Sequence, residues 1–285
     1  MLYTINNGYY SADINSIGAE LTSLKHRGKE YMWQGEHWRG HAPVLFPIVG
    51  RVNGEVEYKG REYAMPKHGF IKDRELSVID KTESSVTLEY KSDERDYEIY
   101  PFLFIFRAHF ALLDNGLKVD FEVESLDEKP MVHQFGWHPA FTLFGEGDIE
   151  NFTLDFGESV APQKHLLTPA KFVSGETCPF PLADGKYKLS EKEIYTDDTI
   201  ILSGTNGIVT LESPDTPESL TLTYTDNLPY LAIWKWPKTD ARYICLEPWC
   251  GIPGDGVSKE YLEKKVTRTV EPYLTEVYSY FVECK

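Results

Sequence analysis

"LLDNGLKVDFEVES", residues 112–125, is the stretch that decides how this chain folds. Apolar and polar residues alternate from Leu117 to Val123, the period of an extended strand with one buried face. Asp114-Asn115-Gly116 interrupts the pattern with a hairpin signal between two such runs. The same alternation recurs at 85–91, 152–156, 208–213, 219–225 and 276–283, each bounded by Gly, Pro, Asn or Asp. "LSGTNGIVTL" (202–211) and "YKGREY" (58–63) repeat the turn device. One segment reads as a helix: "VSKEYLEKKV" (257–266), with Ser258 as N-cap and Leu262 and Val266 four apart. The spacing of strands and turns predicts an all-β chain of about fifteen to twenty strands. That is too many for one small sandwich, so large stacked, mostly antiparallel sheets are expected. No repeat, low-complexity tract or linker divides the chain, and one domain over 1–285 is expected.

Composition narrows the function. The 285 residues are 41% hydrophobic and 14% aromatic, with 18 Tyr and 15 Phe, which suits a globular β protein. The formal net charge of −16 repels phosphate backbones and anionic lipid heads, so neither nucleic acid nor membrane is an expected partner. No apolar run reaches the ~18 residues of a membrane span. The opening "MLYTINNGYYSADI" lacks the basic region and apolar run of a signal peptide, and a cytoplasmic protein is expected. Cysteines at 178, 245, 250 and 284 match no common zinc spacing and read as free thiols.

Four stretches break the strand logic: "APVLFPIVGR" (42–51), "MPKHGFIKDR" (65–74), "VHQFGWHPAF" (132–141) and "YICLEPWCG" (243–251). Each places a polar or titratable residue at the end of an apolar segment beside Gly or Pro, where a rigid turn can hold a functional group. Glu247 follows "YICL", and a buried carboxylate is costly unless paired or neutralised. Arg51 reads either as its structural partner or as a functional group. His133 and His138 are five apart, so a regular strand would point them to opposite faces unless Gly136 forms a bulge. His138, between Trp137 and Pro139, has the neighbours of a rigid site wall, and His133 reads as structural. A zinc site built from His68, His133, His138 and Glu247 has no HExxH or CxxC spacing behind it. Nucleotide binding and serine-hydrolase chemistry have no motif either: GxGxxG, Walker loop and GxSxG are all absent from the sequence.

Taken in order, "LFPIVGR", "KHGF", "FGWHPAF" and "IWKWP" followed by "CLEPWCG" resemble the aldose 1-epimerase (galactose mutarotase) superfamily, and most of all its LacX-type branch. The resemblance runs from about residue 10 to 280. It implies a β-supersandwich, no metal and no organic cofactor. It implies Glu247 as general base, His138 as general acid, His68 as a second active-site histidine, Arg51 as a substrate contact and Asp198 as a hydrogen-bond partner of a sugar hydroxyl, with Asp197 adjacent. Members of the branch often read "HGFAR" where this chain has "HGFIKDR", and Lys is no equivalent of Arg at a planar anion site.

The activity so implied interconverts the α and β anomers of a hexose through ring opening, with Glu and His pKa values moved toward neutrality. Burial would raise Glu247, and a neighbouring carboxylate would favour protonated His138. A basic set, Arg39, Lys67, Lys72 and Arg74, motivates a hexose 6-phosphate alternative. A non-catalytic sugar-binding protein is the third reading. Trp137, Trp234 and Trp249 could stack on pyranose faces in any of these. The expected partner is a small-molecule aldose or sugar phosphate, and the expected state is a monomer or homodimer.

Overall fold

Phe104–Leu113 and Gly116–Ser125 pair antiparallel from Leu113↔Gly116 to Phe104↔Ser125, with Asp114 and Asn115 as a two-residue turn. The alternation read from the sequence is the burial pattern: Phe104, Phe106, Ala108, Phe110 and Leu112 point inward, and the residues between them do not. The protein is described here from a computed structural model covering every residue except 146–148, 190–193, 195–198, 257–259 and 263–266, with backbone alone for 260 and 261.

The hairpin lies within a nine-stranded sheet, flanked by Ser85–Lys91 and Thr275–Cys284. An eight-stranded sheet packs over it. Its consecutive strands are Val173–Pro179, Gln163–Leu167, Thr199–Ser203, Tyr230–Trp234, Tyr243–Trp249, Gly136–Trp137 and Val44–Leu45, and Ala140–Thr142 also joins Tyr243–Trp249. Aromatic rings fill the space between the two sheets. Phe121 meets Phe106, Phe135, Trp137 and Tyr280 with ring centroids 5.3–6.0 Å apart. Phe135 stacks on Tyr278 at 4.4 Å. Rings of this size supply most of the burial on which a β core of this kind depends.

Three expectations change. The described residues hold 26 strands rather than fifteen to twenty, because the sheets include many two- and three-residue pieces such as Lys29–Glu30 and Gly136–Trp137. "LSGTNGIVTL" is no hairpin: Thr199–Ser203 belongs to the eight-stranded sheet and Ile208–Glu212 to the nine-stranded one, so the turn carries the chain between layers. "YKGREY" does close a hairpin, Val56–Tyr58 with Arg61–Tyr63, through positive φ at Lys59 and Gly60. Within the expected helix 257–266, Glu260–Tyr261 is a strand parallel to Val56–Tyr58, and Leu262 donates its N–H to the Glu57 carbonyl. Pairing with that strand overrides the four-residue spacing; residues 257–259 and 263–266 of this expectation lie outside the described ones. No helix among the described residues is long and apolar enough to cross a membrane.

The eight-stranded sheet has two faces with different tasks. In Tyr243–Trp249, Ile244 and Leu246 enter the main core, while Tyr243, Cys245, Glu247 and Trp249 point to the opposite face, as the two-residue period requires. Neighbouring strands follow suit. Leu231 and Ile233 face the core, and Ala232 and Trp234 face away; Ile200 and Leu202 face the core, and Ile201 faces away. The candidate site lies on this outer face.

Candidate active site

Two short strands place His138. Trp137 ends Gly136–Trp137 with its indole fully buried against Phe121 and Tyr280, its N–H donated to the Ala42 carbonyl at 3.2 Å. The next residue therefore leaves on the outer face. Its backbone N–H is held by the Pro43 carbonyl at 3.1 Å, and Pro139 follows. Gly136 pairs with Trp249, and a Cβ at that position would sit 2.4 Å from the Trp249 ring, so only glycine permits the approach.

Glu247 reaches the same point from the adjacent strand. Its Oε2 lies 3.2 Å from His138 Nε2, and the two side chains are 1% and 11% exposed. His68 completes the group, with its ring 6.0 Å from that of His138 and nearly perpendicular. Its loop is held shape-first. Gly69, at φ +67°, lies so close to Phe46 that a Cβ would fall 2.0 Å from the Phe46 carbonyl oxygen. The His68 N–H donates to the Gly50 carbonyl, and Nδ1 accepts the Gly50 N–H at 3.0 Å. With Nδ1 accepting, the neutral ring carries its proton on Nε2 and is a donor there.

Burial sets the protonation. Desolvation raises Glu247 well above the usual carboxylate range, against the pull of Lys67 and then of the Trp249 side chain. Desolvation also lowers His138, to about 3; a bond from its own backbone opposes this and the Lys67 charge adds to it. His68 falls well below its ordinary value through desolvation, then through the charges of His138, Lys67 and Lys72. Desolvation thus works against both charged forms, and for His138 it opposes the expected pull of the neighbouring carboxylate toward the protonated ring. The 3.2 Å between Glu247 Oε2 and His138 Nε2 is an ion-pair distance, and no hydrogen bond joins the two atoms.

A cavity of ≈430 Å³ opens in front of the pair, walled by Trp38, Lys67, His68, Lys72, Trp234 and Trp249 among others. A second, of ≈370 Å³, shares Lys67, His68, Thr199, Trp234, Trp236 and Trp249 with it and adds Arg51, Lys171 and Leu167. Arg51 is exposed and belongs to the second cavity alone, and no ion pair joins it to Glu247. Asp198 and Asp197 lie outside the described residues; the adjacent Thr199 lines both cavities.

Other expectations separate here. Trp137 faces the core and has no surface to offer a sugar, whereas Trp234 and Trp249 line both cavities. His133 lies in the core, its Nε2 2.7 Å from the Tyr278 hydroxyl, so the quartet of His68, His133, His138 and Glu247 is not assembled. The parity argument for the two histidines assumed one strand. The stretch is three short ones, Met131–His133, Gly136–Trp137 and Ala140–Thr142, and His133 pairs with a different partner strand. The basic set divides: Lys67 and Lys72 line the first cavity, and Arg39 and Arg74 do not. Arg74 donates from Nε and Nη2 to Oδ1 of buried Asp96, Lys72 donates to the Gly69 carbonyl and to Asp73, and exposed Arg39 lines neither cavity.

Two residues not singled out along the chain, Trp38 and Gln134, contribute, and so does Lys67 of the basic set. Trp38 lays its indole 5.0 Å from the His138 ring and 5.5 Å from Trp234, roofing the pair. Lys67 lines both cavities and is the cation that both members of the pair sense. Buried Gln134 ties three site segments together: its N–H donates to Pro47, its Oε1 accepts from Val49 and its Nε2 donates to Ile252. Trp38 and Gln134 sit in no pattern readable along the chain; each acts through residues distant in sequence.

A two-sided supersandwich bearing a buried Glu–His pair in an aromatic cleft defines the class. Residues 1–255 match the family model described as aldose 1-epimerase, and the chain belongs to that family of isomerases acting on carbohydrates. Among curated proteins it is similar to Protein LacX (plasmid) of Lactococcus lactis subsp. lactis, 30% identical over 280 residues and 93% of each chain. Among solved structures it is similar to a galactose mutarotase related enzyme from Lactobacillus acidophilus, with TM-score 0.92 and 30% identity over 100% of this chain and 97% of that one. A galactose mutarotase-like protein from Lactobacillus casei gives TM-score 0.92 at 28% identity, with 100% of both chains covered.

Proposed function

We propose that this protein is an aldose 1-epimerase that opens and recloses a hexopyranose ring, with Glu247 as general base and His138 as general acid. The observation that carries the reading is the 3.2 Å approach of Glu247 Oε2 and His138 Nε2 on the wall of a cavity that admits a sugar. Glu247, as carboxylate, takes the proton of the C1 hydroxyl. His138, as imidazolium, protonates the ring oxygen while the C1–O5 bond breaks. The open aldehyde turns about C1–C2, and closure on the other face returns both protons. The sum is neutral, and no electron acceptor enters. Each transfer contributes about 10²–10⁴-fold. His68, a donor through Nε2, fixes a ring or hydroxyl oxygen beside the acid. Trp38, Trp234 and Trp249 offer apolar faces to the pyranose.

Polarimetry of freshly dissolved α-glucose and α-galactose tests this. The wild type is expected to speed the approach to equilibrium, and Glu247→Gln and His138→Asn to abolish the gain. Wild-type rates in both variants contradict the assignment. Sugar binding by calorimetry with no acceleration by the wild type would instead favour a carbohydrate-binding protein.

A hexose 6-phosphate is the second reading. The lining of the second cavity includes Arg51, Lys67 and Lys171 and, among the described residues, no carboxylate, on a chain of net charge −16. A kcat/KM for glucose 6-phosphate well above that for glucose would support it; the reverse order removes it.

A further inference from the structure

The strand that carries Glu247 also carries a thiol toward the same face. Cys245 precedes Glu247 by two residues, and its register partner is Ala140, two residues beyond His138. The Leu246 N–H is bonded to the Pro139 carbonyl at 3.2 Å, which locks these segments side by side. One ligand atom from each of His138, Cys245 and Glu247 lies within 4.8 Å of the other two. Glu247 Oε2, almost wholly buried, has no hydrogen-bond partner and faces this cluster.

We propose that His138, Cys245 and Glu247 form a binding site for a thiophilic divalent cation of the Zn²⁺ or Cd²⁺ kind. Occupancy would switch the proton-transfer pair off.

The donor set is the argument. Imidazole, thiolate and carboxylate are three ligand types that tetrahedral zinc accepts, leaving the fourth position open to the cavity. Nitrogen and oxygen donors at ~2.0–2.1 Å from such an ion stand about 3.3 Å apart. The His138–Glu247 separation of 3.2 Å already meets that. A sulfur at ~2.3 Å would stand about 3.6 Å from each of them, so the thiol has roughly 1 Å at most to travel. One thiolate and one carboxylate neutralise a dication, which suits a wall as dry as this one. The cation enters from the ≈430 Å³ cavity, where His138 and Glu247 are part of the lining; Cys245 waits behind them, packed with Tyr243, Trp38 and Trp234. Binding releases the thiol proton and any proton carried by the pair, and it involves no change of oxidation state. Hard cations gain nothing from a thiolate, so Mg²⁺ and Ca²⁺ are not ligands. Lys67 opposes the cation and keeps the affinity below that of a dedicated structural site.

Binding itself does not depend on the proposed function; the inhibition does. The test is a cadmium titration of the purified protein under reducing, chelator-free conditions, followed by thiolate-to-cadmium absorption in the ultraviolet and by mutarotation rate. The wild type is expected to take up one equivalent, with absorption rising and rate falling together. Cys245→Ala should lose the absorption and remain active in the same cadmium. Cys178→Ala, which removes a partly exposed thiol far along the chain, should behave as wild type. Cys245→Ser serves the same purpose should the alanine variant melt at a lower temperature. Absorption that survives both Cys245 substitutions, or that vanishes in Cys178→Ala, overturns the site, as does the lack of a one-to-one end point. If cadmium binds as described but the wild type accelerates no sugar, the proposed function fails and the cation site stands.

Discussion

His133 and His138 lie in the same ten residues, both out of water, yet their fates differ. His133 enters the space between the sheets, where one ring nitrogen meets the Tyr278 hydroxyl at 2.7 Å and Phe46 packs against the ring. His138 leaves on the other face, meets a carboxylate at 3.2 Å and borders a cavity. Both are pushed to about 3, in each case chiefly by desolvation. What differs is the partner and the access. The Tyr278 hydroxyl meets only one nitrogen of a ring closed off in the core, whereas a carboxylate next to an open cavity gives a ring that can exchange a proton with something that enters.

The comparison breaks first at the carboxylate. Glu247→Gln keeps the shape and removes the base, so kcat/KM for anomer interconversion should fall by about 10²–10⁴ with the melting temperature nearly unchanged. His138→Asn should fall by a similar factor. The double variant should be little worse than the poorer single one, because the two groups act as a unit.

The mirror experiment is His133→Phe. It leaves the Tyr278 hydroxyl without the ring nitrogen, at a cost of about 1–3 kcal/mol in denaturant unfolding, while kcat/KM per folded molecule holds. Its pH signature has a definite sign. The folded ring titrates near 3 and the unfolded ring near 6.5, so below 6.5 the unfolded chain binds a proton that the folded chain refuses. Stability should therefore fall with falling pH across that window, by ~1.4 kcal/mol per unit from this residue. Tyr278 and Arg268 are the polar groups facing the ring, and the Arg268 charge reinforces the effect. In His133→Phe the acid limb should be shallower; an unchanged slope would contradict the buried neutral ring.

Trp38→Ala sharpens the cleft side. Losing the face 5.0 Å from His138 should raise KM by roughly twofold to tenfold, with a smaller effect on kcat. The smallest effect belongs to the far sheet. Arg107 pairs with Glu89 and Glu124 on its solvent face, and Arg107→Met should cost at most about 1 kcal/mol, less in high salt.

Much of this fold could be read along the chain where one face of a strand is wet. "GLKVDFEVES" and its neighbours alternate because water and core impose opposite preferences on successive residues. "YICLEPW" could not be read that way. All seven of its residues are buried, so the pattern is a continuous apolar run in which only Glu247 stands out. That Cys245 and Glu247 share the cavity face while Ile244 and Leu246 share the core is a property of the sheet, not of the run. Trp38 and Gln134 were illegible for a related reason: one crosses a cleft and the other clamps three loops, and neither task leaves a local period. The helix expected at 257–266 failed where a strand partner at 56–58 supplied hydrogen bonds that local spacing does not foresee.

The most direct test is proton exchange spectroscopy on an equilibrium mixture of α and β glucose, where transfer between the two anomeric resonances reports interconversion without net reaction. Transfer rising in proportion to wild-type protein, and returning to the buffer rate in Glu247→Gln, is the predicted result. Transfer undiminished in a folded Glu247→Gln protein would contradict the account.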